Sequence, residues 1–588
     1  MEQTMMQSFL KRAEEGENVF LADVRKAFSQ ESSKITCVLD LVTGGQKSWK
    51  LHLPTFHSER EEAFVREYFY ANLYNLLSTF GGKRMMLYCE KDDAAAKTLC
   101  KSLNDVFQVN VSKSERSGYG KCLNVTDRIN AAMGQPDFTF QIVETAYTGA
   151  QSDPRPVCDA IASFRFAVRH AQKATLCGID IGGTDIKVVG IRNGHIVAVK
   201  EYDWYPAGMT KAEQLIEPIL LMASVVRAAM SLPDTPEAQA LRGQMLTKGL
   251  PDEAMQSTVE TCRAIYGEPI LLDGIGVCFP DVVIKDRIVG GETYKTRGIR
   301  NASPDYEAEF LRLSGLQDLL LRHCRAGGTV HLSNDGSLAA YTAAVELAHS
   351  EQSPSVADGV FAHTLGTELG TGWIDETGNI PQIPLEVYNC MIDLGNYPAR
   401  AYSESDVRSV NNFNTGLSGT LQKYCSQSGA YRLALRIFQQ KAPERYRELF
   451  EKGFLEEREG GIFVRMTPAD MRKPLLEHLM RLASDGEPAA EEIFREIGAF
   501  LSATFEETEW LLAPKSRVRI LFGRFVKHKR CFELMQEGAN ARCPVAFVAG
   551  DGNLAFTPLM LDLKNDPAHT VAQFGQAVGA AYFAASRL

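Results

Sequence analysis

Blocks of apolar residues separated by glycine and polar turns run through the middle of the chain. Residues 176–181 form an apolar run that carries one acid, Asp180, and this pattern is typical of a buried strand. The run breaks at residues 182–184, Gly-Gly-Thr, and a second apolar run follows over 186–191 before an Asn-Gly turn. A strand, a glycine turn and a second strand together predict a β-hairpin.

Helical and strand-like segments alternate in the first part of the chain. Helical periodicity covers 59–77 and 94–106, and short apolar runs typical of strands cover 36–42, 84–89 and 138–144. Residues 1–172 are therefore predicted to form a mixed α/β region. No family is recognised in it, and it lacks the basic recognition helix of a winged-helix DNA-binding domain.

Two larger domains are predicted after this region, 173–333 and 334–588. The first contains a helical insertion over 205–270, with a long helix predicted at 211–230. The second contains amphipathic helices, for instance 489–510. Small residues recur through 574–582.

Composition and charge exclude several classes of protein. The chain has 588 residues, of which 45% are hydrophobic and 23% charged, as in an ordinary globular protein with several compact units. The formal net charge of −10 gives no electrostatic footprint for nucleic acid. No signal peptide and no uninterrupted apolar stretch of about 18 residues is seen, so we expect no membrane contact. The 13 cysteines are scattered, which predicts reduced thiols and a cytoplasmic location.

The glycine turn at 182–184 is a candidate phosphate-binding site. Backbone N–H groups can approach an anion closely there, because no side chain intervenes. An aspartate on the preceding strand, such as Asp180, can hold hydrated Mg²⁺ through water, since Mg²⁺ prefers oxygen ligands and keeps most of its waters.

Further motifs follow in a fixed order. They cover residues 274–280, 330–341, 364–374, 511–523 and 574–582. With the glycine turn, they resemble the strand, base, second phosphate, adenosine and closing-helix motifs of the ROK family, in the sugar kinase/Hsp70/actin superfamily. The resemblance implies an α/β, two-lobed actin-like ATPase (ribonuclease H-like) fold, to which the N-terminal mixed α/β region is added. It also implies that the closing helix at 574–582 packs back onto the first domain.

The resemblance also implies an active site. Asp335 matches the catalytic base and Asn334 matches a residue that binds a sugar hydroxyl, although an Asn-Asp pair also caps helices well. Asp180 would hold Mg²⁺ through water. The implied contacts to ATP and its phosphates are Gly182, Gly183, Thr184, Lys187, Gly366, Thr367, Gly370 and Gly523.

The sugar-binding segment of the family has a counterpart at 385–393. Glu386 takes the place of the family's glutamate, while Asn389 stands where a zinc-ligating histidine would be. Asn389 can still bind a sugar hydroxyl through its amide. The family's zinc loop matches residues 413–424, but its three cysteine places hold Phe413, Thr415 and Thr420. We therefore predict no structural zinc, which needs four suitable ligands.

Other departures concern charge. Residues 294–300 replace a sugar-binding asparagine loop with cations, which predicts either a solvated basic loop or a site where Lys295 or Arg297 binds an anionic group of the sugar. Glu368 replaces a phosphate-loop glycine and would repel a nucleotide unless a cation intervenes. Arg524 and Phe525 replace two glycines at the adenosine motif, where they could reshape the pocket or, in the case of Arg524, contact phosphate.

Two functions remain after these departures. The first is an ATP-dependent carbohydrate kinase that transfers a γ-phosphoryl group to a hexose-type hydroxyl, with a small-molecule sugar and a nucleotide as its partners. The second is a non-catalytic sugar- or nucleotide-binding regulatory protein on the same fold. The intact Asp180 and Asp335 favour the kinase, and the charge and the missing recognition helix disfavour a DNA-binding repressor. A homodimer is left open.

Overall fold

The computed structural model describes residues 5–149, 159–291, 293–302, 306–350, 355–366, 369–396, 401–459, 461–550, 554 and 556–588. The chain forms two compact units. Unit 1 comprises Met1–Arg155, His363–Thr371 and Ile383–Ala549, and unit 2 comprises Pro156–Ala362, Gly372–Gln382 and Gly550–Leu588. Both units are discontinuous in sequence because the chain passes between them several times. The predicted domain division at residues 172 and 333 follows sequence order and stays a prediction.

The N-terminal part of unit 1 is a mixed α/β region, as predicted. Its elements are α1 (Met5–Glu15), α2 (Leu21–Phe28), β1 (Ser33–Asp40), β2 (Gln46–Leu53), α3 (Glu59–Phe80), β3 (Arg84–Tyr88), α4 (Ala94–Lys101), α5 (Leu103–Val106), α6 (Cys122–Ala132) and β4 (Thr139–Val143). The sheet order is β2-β1-β3-β4, in which β1 is antiparallel to β2 and β3 while β3 and β4 are parallel. The long helix α3 starts at Ser58, whose side chain accepts a hydrogen bond from the backbone N–H of Glu61.

The elements between residues 159 and 350 all belong to unit 2. They are α7 (Ala160–Ala171), β5 (Leu176–Ile181), β6 (Asp185–Arg192), β7 (His195–Asp203), α8 (Ala212–Ser231), α9 (Pro236–Leu246), α10 (Asp252–Tyr266), β8 (Leu272–Phe279), β9 (Val283–Ile284), β10 (Arg287–Ile288), α11 (Arg297–Ala302), α12 (Glu307–Leu313), α13 (Leu316–Leu320), β11 (Cys324–Asn334) and α14 (Asp335–Ser350). The predicted hairpin and the helix at 211–230 are confirmed as β5–β6 and α8.

The main sheet of unit 2 has the strand order β11-β8-β5-β6-β7. The strands β5, β6 and β7 form an antiparallel meander, whereas β8 and β11 run parallel to β5. Three antiparallel strands extended by two parallel ones form the ribonuclease H-like arrangement. The parallel strand β8 is almost wholly buried, as expected for a strand covered on both faces.

The remaining elements lie between residues 355 and 588. They are β12 (Val360–Leu365), β13 (Leu369–Ile374), α15 (Leu421–Tyr424), α16 (Gln427–Lys441), α17 (Pro443–Glu451), β14 (Leu455–Arg458), β15 (Gly461–Val464), α18 (Arg472–Ser484), α19 (Pro488–Leu512), β16 (Val518–Gly523), α20 (Lys529–Asn540), β17 (Ala546–Ala549), α21 (Pro558–Asn565) and α22 (Val571–Ala585). A second sheet has the order β13-β12-β16-β17, with β16 and β17 parallel.

The closing helix α22 packs on the sheet of unit 2 at very short range, which confirms the predicted contact. A Cβ atom added at Gly178 would lie 1.9 Å from the carbonyl oxygen of Ala577, and one added at Gly276 would lie 1.8 Å from that of Ala580. Only glycine fits at these strand positions, because the helix backbone occupies the space where a side chain would begin.

One described helix, α8, is long and apolar enough to cross a membrane by length and composition. Its most apolar window is 61% buried within the protein, as in the core helix of a globular unit. Residues such as Ile219, Met222 and Val226 lie in the hydrophobic core beside the β5–β6 hairpin.

A buried glutamate on α14 makes the stability of unit 2 depend on pH. Glu346 Oε2 accepts hydrogen bonds from the backbone N–H groups of Phe556 (2.7 Å) and Thr557 (2.9 Å), and Oε1 accepts one from the Thr557 hydroxyl (2.6 Å). Burial nevertheless raises the pKa of Glu346 from 4.5 to about 7. The folded state therefore binds this proton more tightly than the unfolded state does.

We expect Glu346→Gln to remove this pH dependence, because an amide does not titrate in this range. The amide can keep the same three partners: its oxygen accepts from the two backbone N–H groups, and its NH₂ group donates to Thr557 Oγ1. The stabilisation from the raised pKa is complete below the ordinary value of 4.5 and is lost as the pH rises through about 7. The unfolding free energy of the unmodified protein, relative to that of the variant, should therefore fall between about pH 5 and about pH 8. Denaturant unfolding measured across this pH range checks the prediction. Parallel plots of unfolding free energy against pH for the two proteins would contradict it.

Candidate functional site

The glycine turn between β5 and β6 is held in shape by its own backbone and by a tryptophan. The N–H of Gly182 donates to the carbonyl of Asp185 at 2.8 Å. Trp204 fixes the other side, because its backbone N–H donates to Thr184 O and its indole N–H to Gly182 O, both at 3.0 Å. The turn is thus a rigid loop presented at the end of β5.

Asp180, the acid at the end of β5, lies among other charged groups. Burial raises its pKa to about 6, and the negative charge of Asp335 adds to the rise, while a hydrogen bond from the Cys278 thiol and the charges of Lys187 and Lys295 oppose it. Two carboxylates that repel each other electrostatically favour the binding of a divalent cation between or beside them. Asp180 therefore fits the Mg²⁺ ion that the resemblance implies, held directly or through water.

Strand β11 runs directly into α14, and this junction carries the candidate base. Asn334 caps the helix: its Oδ1 accepts from the backbone N–H of Gly336 (2.9 Å) and of Ser337 (3.5 Å), while its Nδ2 donates to Asp281 O (2.9 Å). Both ends of the Asn334 amide are thus engaged within the protein, as the capping interpretation predicted. Asp335 follows it with a side chain that is 40% exposed.

Lys295 forms an ion pair with this candidate base. Its Nζ donates to Asp335 Oδ2 at 2.8 Å. The stem of the same lysine lies over the glycine turn, since a Cβ atom added at Gly183 would be 3.6 Å from Lys295 Cγ. Lys295 therefore joins the phosphate turn to Asp335 and is more than part of a solvated basic loop.

The loop that carries Lys295 is anchored by a buried aspartate. The carboxylate of Asp281 accepts hydrogen bonds from the Thr296 hydroxyl at 2.8 Å and from the backbone N–H of Gly291. Arg300 adds hydrogen bonds to Gly291 O and Thr296 Oγ1 at 3.1 and 2.9 Å. These contacts fix the position of Lys295, whereas Arg297 donates to the Tyr205 hydroxyl at 3.0 Å.

The other predicted phosphate contacts of unit 2 are engaged locally. The Thr184 hydroxyl donates to Asp185 Oδ2 at 3.2 Å, and Lys187 Nζ donates to Asp185 Oδ1. Lys187 thus pairs with the acid of its own hairpin. Because these two side chains already bond to Asp185, an anion at this turn would be bound by backbone N–H groups such as that of Gly183.

The predicted sugar-binding residues lie in unit 1 and form a buried polar chain. Glu386 Oε2 accepts from Asn389 Nδ2 at 3.2 Å, and Glu386 Oε1 accepts from the Tyr388 hydroxyl at 3.3 Å. Asn389 Oδ1 accepts in turn from Asn412 Nδ2 at 3.0 Å. The arrangement fixes the carboxylate of Glu386 in a defined orientation.

The second phosphate hairpin and the adenosine motif also belong to unit 1. Gly523 has a φ of +96°, and a Cβ atom there would lie 2.3 Å from the carbonyl oxygen of Leu365, so this position requires glycine. Gly366 accepts a hydrogen bond from the backbone N–H of Gln427 at 2.9 Å, and Gly370 lies beside Thr364. Two predicted positions, Thr367 and Glu368, lie outside the described residues.

Arg524 and Phe525 take defined positions in unit 1. Arg524 Nη1 donates to Glu477 Oε1 of α18, so its charge is paired within the protein. Phe525 is fully buried, with its ring 6.4 Å from that of Phe494. Phe525 is therefore a core residue.

The strand order of unit 2, the glycine turn after its first strand and the acid at the start of α14 match the arrangement that the motifs implied. Unit 2 thus has the ribonuclease H-like strand arrangement that the ROK resemblance implies. No family model and no curated protein matches the chain.

Solved ROK structures are similar to it at low identity. A ROK family glucokinase from Streptomyces griseus, in complex with glucose and AMPPNP, is 17% identical, with 69% of this chain and 98% of that chain covered and a TM-score of 0.36. A ROK hexokinase from Thermus thermophilus is 15% identical, with coverage of 69% and 97% and a TM-score of 0.36. A ROK family transcriptional regulator, a homologue of the E. coli MLC protein, is 11% identical, with coverage of 89% and 100% and a TM-score of 0.39.

The zinc site that the ROK resemblance implies does not fit these residues. Asn389, Phe413, Thr415 and Thr420 offer neither imidazole nor thiolate, and zinc prefers such ligands. The hydrogen bond from Asn412 to Asn389 joins the two segments that zinc would join. No step of the chemistry below depends on zinc.

Sequence reasoning missed two residues that organise these motifs and one pairing between them. Trp204 and Asp281 lie beside motifs without belonging to them, and the exact partner of Lys295 depends on a contact 40 residues away. The one available signal was that the apolar motif at 274–280 is followed directly by an acid, Asp281.

Proposed function

We propose that the protein is an ATP-dependent carbohydrate kinase that transfers the γ-phosphoryl group of ATP to a sugar hydroxyl. The observation that carries this proposal is Asp335, a partly exposed carboxylate that follows a parallel strand and is joined to the glycine turn through Lys295. A kinase needs such a carboxylate beside its phosphate-binding loop, because one group must accept the hydroxyl proton while the other holds the phosphates.

Each residue has a separate task in this proposal. Asp335 accepts the proton as the sugar oxygen attacks phosphorus, and the backbone N–H of Gly183 in the glycine turn binds a phosphate oxygen. Glu386 and Asn389 bind sugar hydroxyls. Mg²⁺, when bound through Asp180, supplies charge neutralisation for the phosphates.

The test of this function is ADP release from ATP and Mg²⁺ across a panel of neutral, amino and acidic sugars. ADP release that depends on the sugar would support a kinase and narrow its substrate class. If no sugar stimulates release, and ATP also gives no protection of the fold against heat, the kinase proposal fails.

We expect Lys295 to select for sugars that carry an anionic group. An anion near Lys295 would share the ammonium with Asp335, so Lys295→Met should weaken binding of a sugar acid or sugar phosphate by about tenfold and change neutral-sugar binding by less than about twofold. Calorimetric titration of an acidic and a neutral sugar checks this. Lys564→Met, an exposed lysine on α21, is the control, and equal loss for both sugars in Lys295→Met would contradict the role.

A second candidate function is ligand binding without turnover. It is favoured by the same ion pair, since Lys295 occupies the oxygen of Asp335 that would accept the proton. The pairing of Arg524 with Glu477 also removes a cation from the adenosine motif. In this case a sugar or a nucleotide would raise the melting temperature while no ADP is released.

A further inference from the structure

We propose that the N-terminal region braces the sugar-binding segment, residues 385–394, and that Asn75 is a positioning residue for it. The role of Glu386 and Asn389 within that segment rests on the proposed function. The brace itself rests on contacts within unit 1 between residues 18–21 or 75–79 and this segment.

The first contact is a two-way hydrogen bond from α3. Asn75 Oδ1 accepts from the backbone N–H of Met391, and Asn75 Nδ2 donates to the carbonyl of the same residue, both at 2.8 Å. Asn75 is fully buried. A side chain that satisfies both backbone groups of one residue imitates a neighbouring strand and fixes that residue in place.

The second contact uses the carboxyl end of α3. The last carbonyl groups of a helix have no partner within the helix. Two of them are satisfied by the sugar-binding segment, because Leu385 N donates to Thr79 O at 3.0 Å and Glu386 N donates to Ser78 O at 3.1 Å. The backbone of Glu386 is thus tied directly to the N-terminal region.

The third contact involves residues 18–21. Leu21 N donates to Ile392 O, and Leu394 N donates to Val19 O, both at 2.8 Å. Asp393 then accepts from the backbone N–H of Val19 at 2.7 Å and from Asn18 Nδ2 at 2.6 Å. The far end of the segment is therefore held as firmly as the end that carries Glu386.

These attachments hold the segment without a metal, together with its bonds to the loop that follows it. The ROK resemblance implies a zinc ion between the sugar-binding segment and the loop that follows, and the residues here do not fit one. Hydrogen bonds join the segment to that loop directly: Asn412 donates to Asn389, Ile392 N donates to Gly419 O at 2.8 Å, and the Tyr424 hydroxyl donates to Asp393 at 2.7 Å. The three attachments to the N-terminal region are additional to these bonds. The N-terminal region is thus a second support, beside the loop that follows, that keeps Glu386 and Asn389 oriented toward a sugar.

The test compares Asn75→Ala with Asn72→Ala. Asn72 lies one helical turn earlier on α3 and is equally buried. It donates to Tyr68 O and accepts from Arg25 Nε, two partners that lie outside the sugar-binding segment. We expect Asn75→Ala to speed hydrogen exchange of residues 385–394 by about tenfold and to raise KM for the sugar by a similar factor, with kcat changed by less than about twofold. Asn72→Ala should leave exchange and KM near those of the unmodified protein.

A second variant keeps the test decisive if Asn75→Ala does not fold. Asn18 is only partly buried, and Asn18→Ala removes one bond to Asp393, so a smaller rise in exchange at 391–394 is expected. Equal exchange of the segment in the Asn75, Asn72 and Asn18 variants would overturn the brace. A lack of sugar-dependent turnover in the unmodified protein would overturn the kinase proposal instead, since hydrogen exchange reports on the brace without catalysis.

Discussion

Replacing Asp335 by asparagine lowers sugar-dependent ADP release by about 100-fold to 10,000-fold, the range that loss of a general base produces. The amide has the size of the carboxylate and keeps an oxygen that can accept from Gly336 N, but it cannot take the hydroxyl proton. Sugar affinity should change by less than about twofold, because binding belongs to other groups. Steady-state rates with direct sugar titration separate the two quantities.

Asp273→Asn is the matched control for this prediction. Asp273 lies at the opposite end of the sheet, near the start of β8, where it accepts from the backbone N–H of Thr175 at 2.7 Å. Its substitution should leave the rate near that of the unmodified protein. If Asp335→Asn lowered sugar affinity as strongly as it lowered the rate, Asp335 would be a binding residue. That result would favour the second candidate function, ligand binding without turnover.

Gly276→Ala is expected to lower the free energy of unfolding by about 3 kcal/mol, since overpacking a rigid contact costs this much. The added carbon would lie 1.8 Å from Ala580 O, a backbone atom in α22, so relief requires the whole helix to move. Urea or guanidinium unfolding, followed by fluorescence and circular dichroism, measures the loss.

The control is a glycine-to-alanine change in the same unit with the opposite expected sign. Gly243 lies inside α9 with no atom within 4 Å of an added Cβ. Alanine there should stabilise the protein by roughly 0.5–1 kcal/mol through helix propensity. Similar losses at both positions would show that the contact between α22 and the sheet is not the cause.

Local pattern was enough to predict the helices and the main hairpin. The predicted helix 489–510 is α19 (Pro488–Leu512), and the predicted helix 59–77 is α3 (Glu59–Phe80), three residues longer at its end. These elements follow from apolar periodicity and end signals that lie within the segment itself. Strand β2 was missed, since polar residues occupy five of its eight positions.

The candidate site was predictable in its residue types but not in its pairings. Asp180 and Asp335 stand in motifs, so the resemblance found them. The ion pair of Asp335 with Lys295 and the bond of Asn75 to Met391 join residues 40 and 316 positions apart. Such pairings depend on the register of packed elements, on which one sequence gives no information.

The bond between Val19 and Asp393 spans 374 positions and sets an order of events during synthesis. At about 5–20 residues per second, roughly 20–75 s pass between the emergence of Val19 and that of its partner. During that interval residues 18–21 and 75–79 lack their partner, the segment 385–394, and the apolar faces of the first helices stay exposed. Nascent chains would then depend on chaperones at the ribosome, and fragments that end before residue 385 should aggregate when produced alone.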